Sequence, residues 1–202
     1  MFDELDAVIE GSDTSQDDLK GGGGMVEKAG YYHVRVQDVV PYSEEGKLPN
    51  RRVDLHVLAG TEPSEVGKIL FHRIYLMTWE RDANKVKTGK MAPPSKGARM
   101  MAFRFFLGMG LVNKEELGQK DIHLPFSKLP NCQAIVKVVR EDKDSDGKPL
   151  DKPNFKVAET YTLDDPKVAD VPMDAEYLTM WESEMAANRS VIDDIAVSFG
   201  DV

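Results

Sequence analysis

The stretch that most constrains the fold is residues 93–111, Pro-Pro-Ser-Lys-Gly-Ala-Arg-Met-Met-Ala-Phe-Arg-Phe-Phe-Leu-Gly-Met-Gly-Leu. It reads as a helix set among segments that alternate like strands. Pro93 and Pro94 punctuate its start, Ser95 is placed to be its N-cap, and Gly108 or Gly110 supplies a left-handed stop. No β-branched residue interrupts it. At about 100° per residue, Ala98, Met101, Ala102, Phe105 and Phe106 share one face. Met100, Phe103 and Leu107 cover most of the remainder, leaving Arg99 and Arg104 as the polar breaks. A helix apolar nearly all round requires cover on more than one side.

Around it the period is two. Tyr32, Val34 and Val36 alternate with His33, Arg35 and Gln37, and residues 41–49 follow as a turn region. Val53, Leu55 and Val57 then alternate with Arg52, Asp54 and His56. The run 68–77 is two-sided, with Leu70, Ile74 and Leu76 suited to a core and Phe71, Arg73 and Tyr75 pointing away. A polar loop, 81–90, leads into the helix; a short capped turn at 113–118 and an irregular connection at 120–130 leave it. Cys132, Ala134, Val136 and Val138 alternate with Gln133, Ile135 and Lys137 in a fourth strand. After a charged loop at 140–153, the fifth strand, 154–163, pairs antiparallel with the fourth. Three strands, a helix and two strands is the chain order of an OB-fold. The expected fold is therefore mainly β: a five-stranded OB-fold barrel with a helix between strands three and four, plus a C-terminal helix and acidic tails.

Charge divides the chain in the same way. Of the net −9, residues 1–25 carry −6 and residues 164–202 carry −8, which leaves 26–163 at +5. The first segment ends in four glycines and reads as a flexible tail. The last contains an amphipathic helix, 174–187, with Tyr177, Trp181 and Met185 at four-residue spacing. Acidic ends flanking a basic middle fit a nucleic-acid binder whose tails compete with its ligand, or tails that serve only solubility. No run of apolar residues is long enough for a membrane span, and the acidic opening Met-Phe-Asp-Glu-Leu-Asp is unlike a signal peptide. The single cysteine, Cys132, excludes an internal disulfide framework. The expectation is a cytoplasmic protein with no membrane partner.

The outward positions of the first three strands, His33, Arg35, Arg52, His56, Phe71, Arg73 and Tyr75, interleave positive charge with aromatic rings. Single-stranded nucleic acid asks for that combination, since guanidinium groups meet phosphates and rings stack on bases. The candidate nucleic-acid-binding set is Arg35, Arg52, His56, Phe71, Arg73, Tyr75 and, from the fourth strand, Lys137. The competing explanation is that Phe71 and Tyr75 pack beneath the acidic tail or a long loop. Asp142, Asp144, Asp146 and Gly147 match the opening of a calcium loop, but position twelve is Pro153 where a bidentate Glu is needed. A solvated hairpin turn explains them better, so no metal is expected. The histidines, His33, His56, His72 and His123, show no metalloprotease spacing, and neither a Gly-x-Ser-x-Gly nor a phosphate-loop motif is present. Cys132 lies in an apolar alternating run and reads as a small core residue. No catalytic residue and no cofactor are expected.

The opening Gly30-Tyr31, the run Tyr75-Leu76-Met77-Thr78-Trp79-Glu80 and the helix ending Phe105-Phe106-Leu107-Gly108-Met109-Gly110-Leu111 resemble a phage family of OB-fold single-stranded DNA-binding proteins, long catalogued as a domain of unknown function. In that family a Gly-Lys precedes the fourth strand, where this chain has Gly118-Gln119-Lys120. The resemblance covers about residues 26–163. It implies binding of single-stranded DNA with weak sequence preference, in DNA replication or recombination and in a host cytoplasm. The acidic ending resembles the tips by which bacterial single-strand binders recruit replication and repair enzymes, without their terminal Pro-Phe. The alternative function is an OB-like protein-interaction or assembly module that binds no nucleic acid. The apolar helix needs outer cover, either from the Tyr177-Trp181-Met185 helix or from a second subunit of a homo-oligomer.

Overall fold

The computed structural model describes residues 24–44, 46–84, 86–116, 124–143 and 147–183. Outside them lie the expected N-terminal tail up to residue 23, Gly118-Gln119-Lys120, His123, Asp144 and Asp146 of the calcium-like loop, Met185 and the acidic C-terminal end. Five long strands, β1 (Gly30–Tyr42), β2 (Asn50–Gly60), β3 (Ile69–Tyr75), β6 (Gln133–Lys143) and β7 (Pro149–Tyr161), form one sheet in the order β3-β2-β1-β6-β7. Every neighbouring pair in it is antiparallel. A separate hairpin joins β4 (Thr78–Arg81) to β5 (Lys87–Ala92), and the helix α1 (Lys96–Gly108) follows it. A second helix, α2, spans 175–183.

The architecture is mainly β, as the alternation requires, but three expected loops are shorter than read. The charged stretch 140–153 is one of them, because β6 runs on to Lys143 and β7 starts at Pro149. The stretch 81–90 is the end of the β4–β5 hairpin. The Asp82 carboxylate accepts the backbone N–H groups of Asn84 and Val86, both at 2.9 Å, and the Asp82 N–H donates to the Val86 carbonyl. A short acid that ties its own backbone down turns a polar sequence into a tight reversal. Likewise β1 continues through Pro41 to Tyr42. Its pairing with β6 stops at Arg35, so Pro41 occupies an edge on that side, where no N–H is required.

The inner face follows the period of two. Tyr32, Val34, Val36, Val53, Leu55, Val57, Leu70, Val136 and Val138 are all buried, with Ala102, Phe103, Phe105 and Phe106 of α1 packed among them. The edge strands β3 and β7 approach each other, but among the described residues no hydrogen-bonded ladder joins them. Helix α1 touches both edges. Phe105 stacks on His72 of β3 with ring centroids 4.5 Å apart, and Gly108 meets β7 so closely that a Cβ there would lie 2.6 Å from the backbone of Thr160. Its caps are those expected: the Ser95 hydroxyl accepts the Ala98 N–H at 3.2 Å, and Gly110 takes a φ of 71°. Phe126 packs edge-on against Phe106 and Leu129 is fully buried, so the segment after α1 covers another of its sides. Two core assignments need correction. Met101 is 55% exposed, with Phe103 buried in its place, and Leu76 is 37% exposed because β3 has ended at Tyr75.

A second apolar cluster lies on the other face of the sheet. Ile135, Leu163 and Val168 are buried there against Tyr31, Tyr161, Val171, Met173, Leu178 and Trp181. The segment from 163 to 181 thus packs on the sheet beside β1 and β6. The Asp174 carboxylate caps α2 by accepting the Tyr177 N–H at 3.1 Å. This corrects the idea that α2 lies over α1: its apolar side chains serve the sheet.

Candidate nucleic-acid interface

The register builds the site as rows across the outer face of β1, β2 and β3. Reading along the strands, the rows are Arg35–His56–Ile69, Asp38–Asp54–Phe71, Val40–Arg52–Arg73 and Tyr42–Asn50–Tyr75. Arg52, Phe71, Arg73 and Tyr75 of the expected set are therefore neighbours. Arg52 is committed: its Nε and Nη2 donate to the two Asp54 carboxylate oxygens at 2.8 and 3.0 Å, and its guanidinium carbon lies 4.7 Å from the Phe71 ring centroid. Arg73, directly opposite, is exposed and has neither an ion pair nor a hydrogen bond among the described residues. Like charges across a strand pair repel. Asp54 relieves Arg52, which leaves the Arg73 charge for an external anion.

Beside Arg73 a groove of about 390 Å³ opens between the ends of β1 and β2, β3 and the base of the β4–β5 hairpin. Tyr42, Lys47, Asn50, Arg73, Tyr75 and Trp79 are among its lining. Tyr75 is 46% exposed and Tyr42 37%. Lys47 donates to Glu44 at 2.8 Å and stands 6.0 Å over the Tyr42 ring, and the hydrogen bond to Glu44 raises its pKa. Asn50 is 3% exposed, and its amide nitrogen donates to the Leu48 carbonyl at 3.2 Å. Beyond Trp79 the hairpin carries Arg81, Lys87 and Lys90, interspersed with Glu80 and Asp82.

The rest of the candidate set, and His33, which alternation places outward without making it part of that set, lie elsewhere. His33 is fully buried beneath the segment leading into α2. Its Nδ1 accepts the Asp174 N–H at 3.1 Å, its Nε2 donates to the Gln133 side-chain oxygen at 2.9 Å, and the Gln133 amide donates to the Tyr177 carbonyl at 3.0 Å. That pattern requires a neutral ring, and burial lowers its pKa accordingly. Arg35 sits under α2, with its guanidinium carbon 5.1 Å from the Tyr177 centroid and its buried Nε without a hydrogen-bond partner among the described residues. His56, opposite Arg35, is half-buried, and burial followed by the Arg35 charge lowers its pKa. Lys137, on β6, is separated from β2 by β1; it pairs with Glu159 at 3.1 Å and lies 5.8 Å over the Tyr31 ring. Arg35 and Lys137 do not join the open groove. Alternation tells which side of a strand a residue takes, and is silent about what another segment lays over that side.

Tyr42, Lys47, Asn50 and Trp79 are additional members of the site. Asn50 and Tyr42 share a row with Tyr75, and the signal for Asn50 was parity with Arg52 extended past the apparent strand start. Tyr42 has the parity of the inward Tyr32, Val34 and Val36, and reaches the row through the register shift between Val36 and Asp38. Trp79 had no such signal, because the break at Leu76–Met77 resets the alternation. Among the described residues, no group of three or more His, Cys, Asp and Glu side chains is placed to hold a metal ion, and no helix is long and apolar enough to cross a membrane. No protein-family model and no curated protein matches the chain.

Proposed function

We propose that the protein is a non-enzymatic single-stranded DNA-binding protein of the OB-fold type, acting in DNA replication or recombination, in the host cytoplasm if it is phage-encoded. The observation that carries this reading is an exposed Arg73 with no ion pair among the described residues, set in a groove with Tyr75 and Trp79. A cation next to exposed rings matches a backbone phosphate next to an unpaired base, and stacking contributes about 1–3 kcal/mol per base. A duplex hides its base faces, so rings of this kind favour a single strand. The succession of three long strands, a helix and two long strands supports the OB type, with the β4–β5 hairpin as an insertion. The acidic end, with Glu184, Asp193, Asp194 and Asp201 against Arg189, serves as a competitor for the groove or as a handle for replication or recombination proteins.

Electrophoretic shift and anisotropy titrations with single-stranded DNA, duplex DNA and RNA, at low and moderate salt, test the proposal. A preference for the single strand with a steep salt dependence is the expected result. Failure to bind any nucleic acid sinks it, and favours an OB-like interaction module.

A further inference from the structure

We infer that the groove beside Arg73 is a reading pocket for one unpaired nucleobase, favouring a base with an exocyclic amino group (cytosine, adenine or guanine) over thymine. The inference rests on the single-strand-binding function proposed above and adds to it a base preference and the atom that sets it. That atom is Asn50 Oδ1. The Asn50 side chain lines the groove and is 3% exposed, and its Nδ2 is held by the Leu48 carbonyl at 3.2 Å. With the nitrogen end fixed, the oxygen end is buried without a hydrogen-bond partner among the described residues. An acceptor buried unpaired is a standing cost, and it is recovered when a donor reaches it.

The surroundings say what donor fits. Tyr75 and Tyr42 are 46% and 37% exposed, and Trp79 is partly buried. Tyr42 is held by its hydroxyl bond to Glu44. Tyr75, the more exposed ring, makes no side-chain hydrogen bond among the described residues, and its turning aside is the way by which a base reaches the oxygen. Aromatic rings take the face of a base, Arg73 takes the adjoining phosphate, and Asn50 is left for the base edge. An exocyclic amino group offers N–H bonds that project clear of the ring, and it satisfies a lone acceptor. Thymine offers a single imide N–H between two carbonyl oxygens, whose lone pairs are brought against the acceptor they flank. An asparagine amide is also a natural partner for an adenine edge, and a well-placed pair discriminates strongly between bases.

The test is anisotropy titration of the full chain with equal-length oligo-dT, oligo-dC and oligo-dA. Wild type is expected to bind the dC and dA tracts about fivefold or more tightly than dT. Asn50→Leu, close in volume but unable to accept, is expected to lose that preference while still binding dT. Asn50→Ser, too short to reach the same point, is expected to do likewise and serves if the leucine variant shows no cooperative melt. Equal wild-type affinity for all three tracts overturns the base preference while leaving single-strand binding intact. A preference that survives both substitutions overturns the role of Asn50. No binding to any tract refutes the underlying function itself.

Discussion

Arg52 and Arg73 stand opposite each other on β2 and β3, yet their surroundings give them different tasks. Arg52 is clamped by Asp54 and stacked on Phe71, so it shapes the surface; Arg73 is exposed and unpaired among the described residues, so it supplies the charge. Arg73→Ala and Tyr75→Ala are each expected to weaken single-stranded DNA binding by about fivefold or more, by loss of a phosphate contact and a stacking ring respectively. Arg35→Ala, under α2, is expected to leave affinity unchanged and to lower stability. Parallel titrations and melts of the three variants check this, and wild-type affinity in the first two would move the site off β3. Phe71, Arg73 and Tyr75 were legible in the sequence because they alternate with apolar neighbours along one strand. Asn50 and Trp79 were not: one depends on where β2 starts, and the other on a hairpin whose position is set by tertiary contacts.

At the scale of elements, two contacts decide how the pieces fit. Where α1 meets β7, Gly108 leaves no room for a side chain, so Gly108→Ala is expected to destabilise by about 1–3 kcal/mol in chemical denaturation. Gly97→Ala in the same helix meets nothing closer than the Ser95 hydroxyl at 3.9 Å and is expected not to destabilise, which separates crowding from helix propensity. The other contact is the latch between His33, Gln133 and the start of α2. Burial lowers the His33 pKa from the ordinary 6.5, so the unfolded chain takes up a proton before the folded one does. Stability is therefore undiminished above about 6.5 and is lost as pH falls below it, until the folded-state pKa is passed. His72, lowered by burial to about 4 between β3 and α1, adds a loss of the same sign between about 6.5 and 4. Hydrogen exchange followed against pH is expected to show the amides of 174–183 losing protection on acidification, and a flat profile there would remove His33 from the latch.

For the whole molecule, electrostatics and covering segments have to be separated. Residues 163–181 bury Ile135 and His33, so removing everything after residue 164 strips part of the fold along with the acidic charge. A chain shortened after residue 183 keeps α2 and loses Glu184, Asp193, Asp194 and Asp201. It is expected to bind a single-stranded oligonucleotide more tightly at low salt, with the gain shrinking as salt screens the attraction between tail and groove. Equal or weaker affinity of the shortened chain rules out competition by the tail.

By itself the sequence determined the kinds and order of the main elements: alternating strands, a capped and mostly apolar helix between the third and fourth long strands, and one shared side of β3 for Phe71, Arg73 and Tyr75. These are properties of neighbours along the chain, since period and caps are written in a few consecutive residues. The tertiary structure decided what lies on each exposed face. It placed α2 over Arg35, brought Asn50 and Trp79 beside Tyr75, and closed Gly108 onto Thr160. Such contacts join residues far apart in sequence, and they are chosen by register and by the fit of whole surfaces. No local pattern of polar and apolar residues encodes that choice.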